Sequence, residues 1–237
     1  MQAIVAVMIS GMALACGALA PVSYLAAPFD WRAAVTPPPA PGSTAAAADR
    51  AAYLAAAPDS PGWRAAQTQL RLLTPEMNAQ FSCAAGRRLS PETTPRTLAM
   101  LVKLTAETEL SEAAKTQFKR DRPFVGEAKP VTCDPRVGGA TPSFSYPSGH
   151  AMYGALAGRA LAAAVPERAA ALLALGAGIG TNRVACRVHY PSDIAAGQRL
   201  GDAVYDAVAA TPGFKADLAA ARAEIAAAPQ ATGCPAA

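Results

Sequence analysis

The chain has 237 residues, of which 52% are apolar, and a formal net charge of +4. This length suits one domain with a substantial core, or one domain with a loose terminal segment. The small basic excess, with no Lys/Arg block interleaved with aromatic residues, argues against nucleic acid as a partner. Alanine occupies 61 positions. Because alanine loses no side-chain entropy in a helix, this composition favours a helical protein.

The N-terminus is uncharged as far as Asp30, and residues 3–20 form an apolar run that ends in Ala-Leu-Ala. This pattern is typical of a secretory signal peptide, so we predict a signal peptide over residues 1–20 and a periplasmic or secreted protein. A later cleavage site within "YLAAP" is an alternative. The run is also nearly long enough for an uncleaved membrane anchor, and Cys16 leaves a lipoprotein as a minor option.

The cysteines fit export into an oxidising compartment. If Cys16 leaves with the signal peptide, an even set remains, and it allows three disulfide pairings among which the sequence does not choose. These four residues are Cys83, Cys133, Cys186 and Cys234. The chain has no Cys-x-x-Cys pair, and its two histidines and scattered thiols lack the spacing of a zinc site, so we predict no metal.

Residues 21–60 are rich in proline, alanine, glycine and serine and show no apolar period, which predicts an extended or disordered leader. Residues 61–228 carry helix start signals, for example a hydroxyl residue before Pro75 and before Pro91. No segment alternates with a period of two. We therefore predict an all-α, single-domain bundle of about seven helices, followed by a C-terminal tail over residues 229–237.

The first group of candidate site residues is Lys115 and Arg122, in a segment predicted to be helical from Ser111 to Pro123. Seven positions are nearly two helical turns, so both side chains are expected on one helix face. Two cations on one face repel each other unless an anion lies between them. A solvated basic face is the simpler interpretation, because Lys119 and Arg120 lie between them.

The second group is Pro147-Ser148-Gly149-His150, in front of an alanine-rich run. The free N–H groups and the positive dipole end of a helix start make an anion site. Gly149 allows the backbone to approach a ligand closely, and Ser148 adds a hydroxyl donor. Taken alone, His150 in such a loop is more often a structural residue.

The third group is Arg183, His189 and Asp193. The spacing of four lets the Asp193 carboxylate accept from one imidazole nitrogen, which leaves the other nitrogen as a nucleophile. Arg183 offers a fork-shaped set of donors that suits phosphate oxygens. The simpler interpretation of Asp193 is a carboxylate that compensates the dipole at a helix start.

Together these groups read K-x6-R-P, then 23 residues, PSGH, then 31 residues, and N-R-x5-H-x3-D. This order resembles the signature of the type 2 phosphatidic acid phosphatase superfamily, which joins bacterial acid phosphatases, membrane lipid phosphatases and vanadium haloperoxidases. The stretches "FSCAAGRRLSPETTPR", "RPF" and "SYPSGH" are similar to the secreted class A bacterial non-specific acid phosphatases. That resemblance covers most of residues 75–225.

The resemblance implies that His189 is the nucleophile, that Asp193 orients it, and that His150 is general acid and then general base. It also implies five ligands for the phosphate oxygens: Lys115, Arg122, Ser148, Gly149 and Arg183. The implied function is a secreted, metal-independent acid phosphatase of broad specificity, with no cofactor and a phosphohistidine intermediate. Phosphate monoesters would be its substrates and inorganic phosphate or vanadate its inhibitors, while homo-oligomer formation stays open.

Three positions depart from the pattern of the family. Asn182 replaces a serine, Arg187 replaces a small residue, and Tyr190 replaces a tryptophan. Arg187 is the departure expected to alter substrate choice. The alternatives are a vanadium-dependent haloperoxidase, although these enzymes are generally much longer, a membrane-anchored lipid phosphate phosphatase, and a helical phosphate-binding protein without turnover.

Overall fold

The computed structural model describes residues 23–135 and 143–235, so the predicted signal peptide lies outside the described residues. Within these ranges the protein is all-α, as the sequence predicts, and has nine α-helices and no β-strand. The helices are α1 (Thr44–Ala55), α2 (Pro61–Gln67), α3 (Pro75–Ala85), α4 (Pro95–Ala106), α5 (Glu109–Phe118), α6 (Gly149–Ala164), α7 (Ala169–Ala185), α8 (Pro191–Ala210) and α9 (Pro212–Ala227). None of these helices is long and apolar enough to cross a membrane.

Helix α6 forms the centre of the bundle and is buried along most of its length. It packs closely against α7, because a Cβ atom at Gly154 or at Gly176 would collide with the backbone carbonyl of the other residue. Gly197 on α8 approaches the Ser148 carbonyl equally closely. The order of these contacts along the helices shows that α7 runs antiparallel to α6 and that α8 runs parallel to it. The first residues of α6 and α8 and the last residues of α7 therefore meet at one end of the bundle.

The described part of the predicted leader is not extended or disordered. It contains a short 3-10 helix (Trp31–Ala33) and the twelve-residue helix α1, which Ser43 caps through its side chain. Its aromatic side chains show no helical period, yet Tyr24 and Trp31 each have an aromatic partner far along the chain. The Trp31 ring lies 5.8 Å from Phe118 and the Tyr24 ring 5.3 Å from Phe214, both edge to face. Burial of these rings stabilises the segment.

Two predicted helix boundaries differ from the structure. Ser90-Pro91-Glu92 forms a turn, in which Thr94 N–H donates to the Ser90 carbonyl at 2.8 Å, and α4 begins only at Pro95. Helix α5 ends at Phe118, because Lys119 adopts a left-handed conformation with φ of +49°. Arg122 therefore lies beyond the helix, and the prediction that Lys115 and Arg122 share one helix face is wrong.

The two disulfides select one of the three pairings that the sequence leaves open. Cys83 pairs with Cys234, with a Cα–Cα distance of 5.4 Å, and Cys133 pairs with Cys186 at 4.8 Å. The first disulfide joins the C-terminal tail to α3. The second joins the loop after α5 to the end of α7, next to the region where the predicted site residues lie.

Candidate active site

A cavity of about 350 Å³ lies at the end of the bundle where α6 and α8 begin and α7 ends. Six of the eight predicted site residues line it: Lys115, Arg122, Gly149, His150, Arg183 and His189. The other two, Ser148 and Asp193, are fully buried and adjoin these residues in the chain or in space. A larger cavity of about 480 Å³, between α3, α4 and the C-terminal tail, contains none of the eight.

His189 is held by the first turn of α8. Its Nδ1 lies 3.2 Å from Asp193 Oδ2, and the same oxygen accepts from the Tyr190 backbone N–H at 2.8 Å. Asp193 is therefore both the carboxylate that caps α8 and the partner of the imidazole. With the Nδ1 proton directed to Asp193, the lone pair of His189 lies on Nε2, which is 3.3 Å from Arg122 Nη1. Burial and the nearby Arg122 charge hold the pKa of His189 well below its ordinary value.

Three buried cations surround the cavity. The Lys115, Arg122 and Arg183 side chains lie almost wholly out of solvent, with residue exposures of 6, 7 and 2%. Burial and the neighbouring Arg183 charge lower the pKa of Arg122 to about 10. Burial likewise lowers the pKa of Lys115. Since desolvated like charges disfavour one another, this arrangement is one that a bound anion would stabilise.

Gly149 is placed at the first position of α6, against α5. A Cβ atom there would lie 3.0 Å from Ser111 Oγ and 3.9 Å from Lys115 Nζ. The tight contact is with Ser111, so the absence of a Cβ atom lets the start of α6 pack against α5, and the N–H groups at this helix start lie beside the cation cluster. Ser148 caps α6, and its Oγ accepts from Ala151 N–H at 3.3 Å.

His150 lies in the first turn of α6 and lines the cavity. Its Nε2 is 3.3 Å from the Leu70 carbonyl oxygen. Burial, followed by the charge on Arg183, lowers the pKa of His150 well below its ordinary value. In the site without substrate, the neutral form of this histidine is therefore favoured.

The cavity also contains two carboxylates that the sequence analysis did not select. Glu112 Oε1 lies 2.6 Å from Lys115 Nζ, and Asp134 Oδ2 lies 3.0 Å from Arg183 Nη2. Glu112 precedes Lys115 by three residues on α5, a spacing that allows a contact and was available as a signal. Asp134 is 49 residues from its arginine and had no local signal.

The three departures from the family pattern point away from the cavity. Asn182 donates to Gln69 Oε1 at 3.0 Å, and Arg187 packs on Tyr53 with its guanidinium 4.3 Å from the ring centre. Neither residue lines the cavity. The expectation that Arg187 alters substrate choice therefore finds no contact to support it. Tyr190 packs on Arg120.

The donor set of the cavity suits an anion better than a metal ion. Two of its residues, His150 and His189, have metal-ligating nitrogens, but three cations face them. Over residues 23–135 and 143–235, no three His, Cys, Asp or Glu side chains are grouped so that they could hold a metal ion.

Comparison with known proteins agrees with this geometry. Residues 96–211 match the PAP2 superfamily. A non-specific acid phosphatase of Salmonella typhimurium is 34% identical over 194 residues, which are 80% of this chain and 77% of that protein. An acid phosphatase of Zymomonas mobilis is 31% identical over 81% of this chain and 74% of its own length. The chain therefore belongs to the PAP2 superfamily and is a phosphatase.

Proposed function

We propose that this protein is an exported acid phosphatase that hydrolyses phosphate monoesters of broad specificity through a phosphohistidine intermediate, without a metal ion. One observation carries the proposal. His189 lines a cavity with three buried cations, its Nδ1 is held by Asp193, and its Nε2 carries the lone pair, 3.3 Å from Arg122 Nη1. A nucleophile, an orienting carboxylate and a site for anionic oxygens are thus combined in one place.

In the first step, Lys115, Arg122 and Arg183 bind the phosphate oxygens together with the N–H groups at the start of α6 and the Ser148 hydroxyl. His189 Nε2 attacks phosphorus, and the bond from phosphorus to the ester oxygen breaks. His150 donates a proton to the departing oxygen, so the alcohol leaves neutral. The cations balance the charge on the transferring phosphoryl group, which is the task that a divalent ion performs elsewhere.

In the second step, a water molecule attacks the phosphorus of the phosphohistidine. His150, now neutral, accepts a proton from this water, and the bond from phosphorus to His189 Nε2 breaks. Inorganic phosphate leaves, and both histidines return to their starting states. Inorganic phosphate and vanadate are expected to inhibit, since vanadate adopts the five-coordinate geometry of in-line transfer.

The electrostatics support an acid working range. His150 must be protonated to act as an acid, yet burial and Arg183 lower its pKa in the empty site. A bound phosphate anion offsets the cationic charge around it and raises this pKa again. Burial and the Arg122 charge lower the pKa of His189 as well, which favours the neutral form that the nucleophile requires.

Broad specificity and export have separate support. The cavity lining is almost wholly polar or charged, with Leu72 as its one apolar side chain, so it offers little apolar surface to select one alcohol group over another. The two disulfides fit an oxidising compartment outside the cytoplasm.

The test is hydrolysis of p-nitrophenyl phosphate at acid pH by protein dialysed against EDTA, with acid-labile, base-stable phosphohistidine trapped by rapid quench. We expect full activity and a phosphoenzyme that is absent in His189→Ala. Activity that is lost in EDTA and restored by Mg²⁺ or Zn²⁺ would contradict the mechanism. Vanadate-dependent oxidation of bromide by peroxide would instead favour the haloperoxidase alternative.

A further inference from the structure

Resting on the function proposed above, we infer that Arg120 and Asp49 are positioning residues for the nucleophile. They extend the pair of His189 and Asp193 into a buried network that reaches helix α1. The segment that the sequence marks as a leader then helps to position the nucleophile through Arg120 and Asp193.

The contacts form an unbroken chain. Arg120 Nη1 donates to Asp193 Oδ1 at 2.7 Å, and Arg120 Nη2 donates to Asp49 Oδ2 at 2.8 Å. Asp49 Oδ1 in turn accepts from the Ser192 backbone N–H at 3.0 Å, in the first turn of α8. Asp49 therefore holds both the arginine and the helix start that carries Asp193.

The two oxygens of Asp193 have different partners. Oδ2 accepts from His189 Nδ1 and from the Tyr190 N–H, whereas Oδ1 accepts from Arg120. Because both oxygens are bound, the plane of the carboxylate is fixed, and the imidazole that it orients is fixed with it. Arg120 is one contact behind Asp193 and two behind His189, and outer partners of this kind commonly set the orientation and basicity of the group in front of them.

Burial and charge make Arg120 necessary to this arrangement. The Asp193 and Asp49 side chains are 0 and 5% exposed, and that of Arg120 is 14% exposed. A carboxylate buried to this degree is costly unless a cation pairs with it. Arg120 also packs flat against Tyr190, with its guanidinium carbon 4.3 Å from the ring centre. It does not line the cavity, and both of its terminal nitrogens are already engaged, Nη1 by Asp193 and Nη2 by Asp49.

Other charged and polar groups also face Asp193. His189 and the Ser145 hydroxyl are near it, and the Lys115 and Arg122 charges act at longer range. Burial raises the pKa of Asp193, and Arg120 is the largest influence that lowers it. Without Arg120 the carboxyl would therefore be protonated over a wider acid range, where it no longer holds the His189 tautomer.

The experiment compares Arg120→Met, Arg120→Lys and Asp49→Asn with a matched ion-pair variant far from the site. Asp217→Asn is that control, since Asp217 pairs with Lys103 at 2.7 Å and neither residue lines the cavity. For each protein the melting temperature, the pH profile of kcat/KM and the rate of phosphohistidine formation are measured with p-nitrophenyl phosphate.

We expect Arg120→Met to lose about 10- to 100-fold in kcat/KM and to move the acid limb of its profile to higher pH, by about one pH unit. Arg120→Lys keeps the charge and should recover part of the loss, while Asp49→Asn should lose about tenfold. If Arg120→Met does not fold, Asp49→Asn decides, because it keeps the shape of the side chain.

Variants that melt lower but form phosphohistidine at the wild-type rate, with an unshifted acid limb, would reduce Arg120 and Asp49 to structural residues. A wild-type protein that forms no phosphohistidine would instead refute the proposed function. The two failures are therefore distinguishable.

Discussion

Glu112 offers a direct test of whether the three cations bind phosphate. Its carboxylate contacts Lys115 Nζ at 2.6 Å and so neutralises one of the cations that the substrate needs. Replacement by glutamine keeps a hydrogen-bond acceptor of the same shape and removes the negative charge. We therefore expect Glu112→Gln to bind inorganic phosphate more tightly than the wild type does.

The size of the effect follows from the exposure of the pair. The Lys115 side chain is 7% exposed and that of Glu112 is 51% exposed, so solvent screens the interaction on one side. A pair of this kind is worth about 1 kcal/mol, at the upper end for exposed ion pairs. This free energy corresponds to a roughly fivefold lower inhibition constant for phosphate.

The assay is competitive inhibition of p-nitrophenyl phosphate hydrolysis by phosphate at low ionic strength, since salt screens the effect. Glu109→Gln is the matched control, because Glu109 lies on the same helix, is exposed and does not line the cavity. An unchanged or higher inhibition constant in Glu112→Gln, or an equal decrease in Glu109→Gln, would refute this reasoning and place the phosphate away from Lys115.

Three further predictions concern the cations, the general acid and the close approach of α6. Arg183→Lys exchanges a planar fork for a point charge and should lose about 10²-fold in kcat/KM, or about 2.7 kcal/mol; near wild-type kinetics would remove Arg183 from the site. His150→Ala should lower the rate of hydrolysis more for alkyl phosphates than for aryl phosphates, and equal losses for both ester types would contradict its role as acid. In the wild type, the basic limb of the kcat profile should lie at higher pH than that of kcat/KM, because bound phosphate raises the His150 pKa. Gly149→Ala places a methyl group 3.0 Å from Ser111 Oγ and should raise KM about tenfold with little change in melting temperature, while an unchanged KM would show that the start of α6 does not contact phosphate.

Much of the architecture is determined by local sequence. The abundance of alanine, and proline at the first positions of α3, α8 and α9, specify helices without reference to the rest of the chain. The same holds for parts of the site that lie within one helical turn. The Ser148 hydroxyl caps α6 by accepting from Ala151 N–H three residues on, and the spacing of four brings Asp193 to His189.

Other features depended on contacts between distant segments. Lys115 and Arg122 reach one cavity because Lys119 ends the helix in a left-handed conformation. A lysine in the sequence does not predict this conformation. The disulfide pairing depended on which cysteines the fold brings together, across 151 and 53 residues.

The leader is the clearest example of structure that local sequence did not predict. Its composition predicts disorder because its apolar residues share no period, and periodicity reports only burial on one face of a regular element. What orders it are single long-range contacts, among them the pair of Asp49 and Arg120, 71 residues apart. Local sequence thus determined the helices and the short motifs at their starts, where each interaction closes within a turn. Only the tertiary structure decided which cations meet, which cysteines pair and how α1 reaches the nucleophile, because those contacts form after distant segments have packed together.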